Sequence, residues 1–215
     1  MTVNILVVVL SHMLHGFLWE EIKDKTENLL IFTGSDANVN YYDEKNKIVF
    51  FDCNDKYDGI PEKVVLIIDF ILKNPKFDKF THIIKIDDHD NIFTDENIKN
   101  LHNLEELSQY DYIGQKVNIN GENEFSDWHF NRFCKNDYWI NKHADVSNIT
   151  WCDGGCSYIL SREAMRIINK VYNSNNIDEL RKTEIYEDCM IGKILNKNNI
   201  YPYKINYGIC GDKNL

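Results

Sequence analysis

The sequence predicts an α/β fold: a mostly parallel sheet flanked by helices, with a smaller lobe appended in the second half. Two observations carry this expectation. Val3 to Leu10 is a continuous apolar strand, the pattern of strands buried on both faces of a parallel sheet, and Thr81 to Ile86 is a central strand whose last four residues, Ile83 to Ile86, run straight into a polar cluster. Segments of helical pattern alternate with such strands through the first half, as βαβ units require, whereas the second half is irregular and β-rich with two helices. At 215 residues the length suits one domain, or one domain with an elaborated lobe.

Taken in order, Val3 to Leu10 is the first strand and His15 to Lys25 a helix. Leu29 to Thr33 is a second strand ended by Gly34-Ser35-Asp36, and Lys47 to Asp52 a third. Asp58-Gly59-Ile60-Pro61 is a turn, with Pro61 at the first position of a helix. That helix, Glu62 to Lys73, is nearly all apolar on Val65, Ile68, Phe70, Ile71 and Leu72, so it should be well buried. Thr94 should cap a helix over Asp95 to Leu107, with acidic residues favourable in its first turn. Tyr110 to Gln115 is a further strand. Asn118 to Asn148 is polar and aromatic without a period, and loops of that length are usually functional; a lid over a ligand is the expectation. Trp151 to Leu160 reads as strand-like around Gly154-Gly155. Ser161 then caps a helix to Tyr172, Glu184 to Asn196 is another helix, and Ile200 to Tyr207 a last strand.

Net charge is −10. Nucleic acid is not an expected partner, because phosphate recognition needs clustered Lys and Arg. An anionic substrate would need a bound cation or a local basic group to invert the field. The apolar run at the N-terminus is too short for a membrane span and lacks a basic flank, so neither a signal peptide nor a membrane anchor is expected. The six cysteines are scattered, and reduced thiols in a cytosol-like compartment are expected. Cys152 and Cys156 lack a second Cys/His pair that would make a zinc site.

Chemistry concentrates in three islands. The first is Asp87-Asp88-His89-Asp90, four potential ligands that follow Ile83 to Ile86 directly. An unpaired buried carboxylate is costly, so the strand should end at Ile86 and the cluster should lie on the loop at its carboxyl end, where open α/β sheets bind ligands. Such an oxygen and nitrogen set suits Mg²⁺, Mn²⁺ or a similar divalent ion; a solvated acidic turn is the bland alternative. The second is Asp153-Gly154-Gly155, where paired glycines allow close backbone approach or a simple bend. The third is Tyr186-Glu187-Asp188-Cys189-Met190-Ile191-Gly192, with two carboxylates opening a helix whose dipole favours them.

Together and in this order the islands resemble the inverting, metal-dependent glycosyltransferases of the GT-A fold, in particular glycosyltransferase family 31, with its β-1,3-galactosyl- and N-acetylglucosaminyltransferases and Fringe proteins. Lys85-Ile86-Asp87-Asp88-His89 is similar to the family's Lys-x-Asp-Asp-Asp stretch. Asp153 to Ser161 resembles its Gly-Gly-x-x-Tyr-(Val/Ile)-Leu-Ser segment, and Glu187 to Gly192 its Glu-Asp-Val-x-x-Gly. Phe51-Asp52 through Tyr57 to Lys63 resembles its Asp-x-Tyr-x-Asn-Leu-x-x-Lys segment.

The resemblance implies a Rossmann-like GT-A sheet in a single domain. Residues 1–115 would form its nucleotide-sugar half and 116–215 its acceptor and catalytic half. It implies transfer of a hexose or N-acetylhexosamine from a UDP-sugar to a glycan or glycoprotein acceptor, with Mn²⁺ or another divalent cation. By position, His89 and Asp87 would serve the metal, and Asp88 the ribose or sugar side; the register could instead make Asp88 and Asp90 the working pair. Asp153, Gly154 and Gly155 would floor the donor site. Asp188 would be the general base, with Glu187 orienting it or meeting the acceptor. Trp128, Trp139 and Trp151 are candidates for stacking on sugars. His89 replaces an Asp of the family; imidazole favours Mn²⁺, Co²⁺ or Zn²⁺ over Mg²⁺ and binds only when neutral, so metal affinity should fall below a pH of about 6.5. The family's late metal-binding His has no counterpart after His143, leaving Cys210, Asp212 or water, and His12 and His15 stand where basic residues are often found. Two other readings compete. A nucleotidyltransferase would carry a Gly-rich phosphate loop after its first strand, and Leu10 to Gly16 offers one Gly. A catalytically inactive nucleotide- or glycan-binding module on the same scaffold would tolerate loss of Asp188.

Overall fold

A computed structural model describes residues 3–35, 40–88, 94–119 and 146–209. An eight-stranded mixed sheet runs through them in the order β10-β6-β9-β5-β1-β2-β4-β3. Its strands are β1 (Ile5–Leu10), β2 (Leu29–Ser35), β3 (Tyr41–Asp43), β4 (Ile48–Asp52), β5 (His82–Asp87), β6 (Tyr112–Gly114), β9 (Tyr158–Ser161) and β10 (Tyr203–Lys204). β5, β1, β2 and β4 are mutually parallel, as the apolar runs predict, and β9 is antiparallel to both β5 and β6. A separate ribbon pairs β7 (Val117–Ile119) with β8 (Thr150–Cys152), bringing Ile119 opposite Thr150. The helices are α1 (Gly16–Lys23), α2 (Ile60–Lys73), α3 (Asp95–His102), α4 (Arg162–Val171), α5 (Ile177–Thr183) and α6 (Glu187–Asn196).

Both faces of the sheet are covered, and strand alternation sorts the residues between them. Leu6, Val8, Leu10, Phe32, Ile83, Tyr158 and Leu160 join Val65, Ile68, Met165 and Ile191 of α2, α4 and α6 in one core. Ile5, Val7, Val9, Ile31, Ile84, Ile86 and Ile159 join Ile22 of α1 and Ile98 and Leu101 of α3 in the other. The α2 helix is buried along most of its length, and Pro61 stands at its second position because the helix begins one residue earlier, at Ile60. Thr94 and Asn97 form a capping box on α3, and Ser161 caps α4 through the Ala164 N–H.

Several expectations are corrected. The central strand ends at Asp87, not Ile86; Leu10 pairs with Asp87, and the Asp88 N–H continues the ladder to the Leu10 carbonyl at 3.1 Å. Asp87 is tolerated in the strand because Lys85, two residues back on the same face, lies 2.7 Å from it. Trp151 to Leu160 is two strands, β8 and β9, with the glycines in the turn between them. The helix after Thr94 stops at His102, and a 3₁₀ turn over Glu105–Ser108 follows. The last strand is only Tyr203–Lys204, since β6 offers three residues to pair with. Cys53, Cys152 and Cys189 are free and buried, but Cys156 is disulfide-bonded, against the expectation of reduced thiols. His89, Asp90, Trp128, Trp139, His143, Cys210, Asp212 and the lid expected over Asn118 to Asn148, save its ends, also lie outside them.

Candidate active site

The chain leaves β1, travels outward through β2 and β4, and returns to β5 on the other side of β1. The carboxyl ends of β1 and β5 therefore flank the point where the strand order reverses, the place where open α/β sheets form a crevice. Asp87 and Asp88 stand at that edge. Asp88 Oδ2 accepts from Ser11 Oγ at 2.5 Å and lies 2.9 Å from His15 Nδ1. Trp19 Nε1 in turn donates to Ser11 Oγ at 2.8 Å. Asp88 is thus fixed by the first residues after β1.

A second carboxylate organises the neighbouring loop. Asp55 accepts from the Gly34 N–H at 2.8 Å, the Met13 N–H at 2.7 Å and Lys63 Nζ at 3.0 Å. Burial opposes its ionisation, but these donors outweigh burial and hold the carboxyl below its ordinary range. Lys63, itself buried, also donates to the Ser11 carbonyl at 3.1 Å, tying β1, β2 and α2 together at the crevice. Asp55 and Lys63 stand at the Asp and Lys of the Asp-x-Tyr-x-Asn-Leu-x-x-Lys segment matched upstream, with Tyr57 between them; His15 was noted only where basic residues are often found, and Ser11 drew no role from the sequence, because it acts through tertiary contacts that no spacing rule exposes.

The third group is buried between sheet and helix. Lys85 and Tyr158 face each other across β5 and β9, on the face covered by α6. The α6 N-terminus brings Glu187 and Asp188 to them, 6% and 8% exposed. Tyr158 donates its phenol to Glu187 Oε1. Lys85 Nζ donates to the Gly154 carbonyl at 2.9 Å, pairs with Asp87 Oδ1 at 2.7 Å and stands 4.0 Å from Glu187 Oε2. Asp188 accepts from the Cys189 N–H at 2.8 Å and, more loosely, from the Gly154 N–H at 3.4 Å. Gly154 is required here by close approach: a Cβ would lie 2.5 Å from Glu187 Oε2 and 3.3 Å from the Asp188 Cβ. Asp153 turns the chain by accepting from the Gly155 N–H at 3.1 Å, and its other oxygen pairs with Lys116 at 2.9 Å.

This burial sets the protonation states. Desolvation, then the charges of Glu187 and Asp153, push Asp188 up to about 7; the Cys189 and Gly154 amides oppose the shift without cancelling it. Glu187 is also raised, by burial first, with Lys85 and Tyr158 pulling the other way. Burial would lower Lys85, yet Asp87 and Glu187 outweigh it, and the ammonium is held above its ordinary value. Tyr57, in the turn before α2, has its phenol raised by burial and by Asp188, Glu187 and Asp87, and so remains an O–H donor beside them. Lys85, Tyr57 and Tyr158 each stand at a position of a segment matched in the sequence, but no role was assigned to them there. A lysine inside a strand, two residues before an aspartate, was a further signal for Lys85.

The structure brings together Asp87, Asp153, Gly154, Glu187 and Asp188 and places Asp88 beside them at the crevice, while Gly155 is exposed at the turn. Trp151 is fully buried on β8 against α6, its Cβ 2.6 Å from where a Gly192 side chain would begin, so it is core. Among the described residues no group of three His, Cys, Asp or Glu side chains converges to hold a metal ion. Divalent ions that ride on substrate phosphates need only one or two protein carboxylates, and Asp87, at the carboxyl end of β5, is one carboxylate of that kind.

No helix of the described residues is long and apolar enough to cross a membrane. Among curated proteins no sequence matches the chain. Among solved structures it is similar to a cytidylyltransferase from Leptospira borgpetersenii, at 10% identity and a TM-score of 0.46, over 96% of this chain and 78% of that one; a likeness at that level says nothing of activity. The family comparison is of another order. The galactosyltransferase model matches residues 34–206, a span that takes in Asp55, Lys85, Asp87, Asp88, Asp153, Gly154, Glu187 and Asp188, and the chain therefore belongs to the galactosyltransferase family of glycosyltransferases.

Proposed function

We propose that this glycosyltransferase moves a hexose or N-acetylhexosamine from a UDP-sugar to a hydroxyl of a glycan or glycoprotein, with inversion at the anomeric carbon. The observation that carries the reading is Asp188, buried at the start of α6, pushed up to about 7 and adjoining the Gly154 backbone. A general base works best with a pKa near the operating pH. Asp188 would take the proton of the acceptor hydroxyl as its oxygen attacks from the face opposite the diphosphate. Glu187, fixed by Tyr158 and facing Lys85, holds the geometry of the pair. The turn of Asp153, Gly154 and Gly155 floors the donor sugar, and Lys85 fixes that turn through the Gly154 carbonyl.

The nucleotide would sit over the ends of β1 and β5, in the half formed by residues 1–115, with Asp88 toward the ribose or sugar. Residues 116–215 would form the acceptor half. Asp87 and His89 would hold Mn²⁺ or another divalent cation, which when bound supplies charge neutralisation for the departing diphosphate. In a chain of net charge −10 such a cation also removes the repulsion an anionic donor would meet.

Thermal unfolding with UDP, UDP-sugars and other nucleotides, each with Mn²⁺, Mg²⁺ or EDTA, tests the donor site. A ligand bound only to the folded state adds about 2.7 kcal/mol at 100 times its dissociation constant. A rise in midpoint with UDP-sugars that requires Mn²⁺ is expected; no shift with any nucleotide would overturn the donor reading.

A further inference from the structure

We infer that Tyr207 is a positioning residue of the transferase: its phenol clamps Ser157 in a strained backbone conformation and so sets the turn of Asp153 to Gly155 against Glu187 and Asp188. The part of that turn as floor of the donor sugar rests on the function proposed above.

Ser157 is a backbone outlier. Its φ is 130°, in the range glycine tolerates and a residue with a Cβ rarely adopts. It is fully buried. Residues held in such conformations persist only where their surroundings over-determine them, and they cluster at functional sites. Ser157 stands between the turn and β9, which begins at Tyr158. On one side, the Ser157 N–H reaches back to the Asp153 carbonyl at 3.3 Å, and the Cys156 N–H meets the same carbonyl at 3.2 Å. On the other, Tyr158 carries the phenol that holds Glu187. The strained residue thus joins a turn folded back on Asp153 to a strand that presents Tyr158 toward α6.

The clamp is reciprocal. Tyr207 Oη donates to the Ser157 carbonyl at 3.1 Å and lies 2.9 Å from Ser157 Oγ. A phenol has one proton to give, so the Ser157 hydroxyl is the donor in the second contact. Burial raises the Tyr207 phenol, which keeps it protonated. Tyr207 is itself fixed along the chain on both sides. Gln115 donates through Nε2 to Asn206 Oδ1 at 3.3 Å and accepts from the Ile209 N–H at 2.7 Å, and Asn97 Nδ2 donates to the Gly208 carbonyl at 3.1 Å. The segment after β10 is therefore a strap that carries Tyr207 to the back of the turn. The turn has little room to move: Lys85 holds the Gly154 carbonyl at 2.9 Å, and a Cβ on Gly154 would lie 2.5 Å from Glu187 Oε2. A relaxation at Ser157 is felt three residues earlier, beside the two carboxylates.

Two substitutions test the clamp. Tyr207→Phe keeps the ring and removes both hydrogen bonds. Ser157→Gly removes the strain, because glycine takes this φ without a steric penalty. Initial rates are measured with UDP-sugars and Mn²⁺, without reductant because Cys156 is disulfide-bonded. Tyr207→Phe should raise KM for the donor about tenfold, the scale of one or two neutral hydrogen bonds, with the acceptor KM unchanged. Adding Ser157→Gly to it should recover most of that loss. A protein that is merely less stable loses active molecules, which lowers kcat and leaves KM alone. Hydrogen exchange of peptides covering Asp153 to Ser157 reads the turn without any substrate: protection should fall in Tyr207→Phe and return in the double variant, with β1 and β5 exchanging as in wild type. A wild type that turns over no UDP-sugar, with this exchange pattern present, would overturn the donor reading and uphold the clamp. An unchanged donor KM in Tyr207→Phe, a loss confined to kcat, a double variant no better than the single, or unaltered exchange would overturn the clamp.

Discussion

Asp188→Asn should stabilise the fold while removing the proposed base. Raising a carboxyl from its ordinary 3.8 to about 7 costs about 4 kcal/mol of folding free energy once the group is ionised in both states. The sign follows from the raised value. The folded chain holds this proton more tightly than the unfolded chain, so the cost is absent below about pH 4, grows as pH rises and is complete above about 7. An amide carries no charge and escapes it. The amide can still accept from the Cys189 N–H but presents a donor toward the Gly154 N–H, forfeiting about 1 kcal/mol. A net gain of roughly 2–3 kcal/mol at pH 8 corresponds to a midpoint higher by about 4–12 °C for a chain of this size. Calorimetric melts of both proteins from pH 4 to pH 8 would show the curves converging at the acid end. A variant no more stable than wild type at pH 8, or a gain independent of pH, would refute the burial argument.

Other outcomes follow from the same geometry. The pH profile of kcat/KM should rise through about 7 as Asp188 ionises, and a flat profile between pH 5.5 and 8.5, tested to about those limits, would remove it as the base. Lys85→Met leaves Asp87 and Glu187 without their buried counter-charge and should destabilise by about 3–5 kcal/mol in urea unfolding. Gly154→Ala drives a methyl onto Glu187 and should cost about 1–3 kcal/mol of stability as well as turnover, measured by unfolding and initial rates. Tyr158→Phe removes the donor to buried Glu187 and should cost about 1–3 kcal/mol in the same unfolding assay, with packing retained.

The parallel centre of the sheet was legible because β1 is apolar throughout and buried on both faces, and β5 is apolar at Ile83, Ile84 and Ile86 with one buried charge, Lys85, that carries its own counter-ion. Placing the acidic island at the carboxyl end of β5 followed from the cost of an unpaired buried carboxylate. The rule also misplaced the strand end by one residue, because it treated Asp87 as unpaired; the counter-ion was Lys85, in plain view on the same face. The α5 helix was missed because it is seven residues long and buries only Leu180, too little for a period to show. The strand-like stretch around Gly154 was two strands because a glycine needed for close approach looks, in sequence, like one needed for a bend. Asp55 and Lys63 fall in one matched segment, but their junction with Ser11 after β1 is a tertiary contact, and no local pattern announces it.

The most direct measurement is product analysis after incubation with UDP-galactose, UDP-glucose and the corresponding UDP-N-acetylhexosamines, Mn²⁺ and a panel of glycan acceptors. The account predicts that one α-linked donor yields UDP and a β-linked product, read from the anomeric coupling in the NMR spectrum, and that Asp188→Asn yields neither. A product that retains the α configuration, or turnover that survives Asp188→Asn, would contradict it.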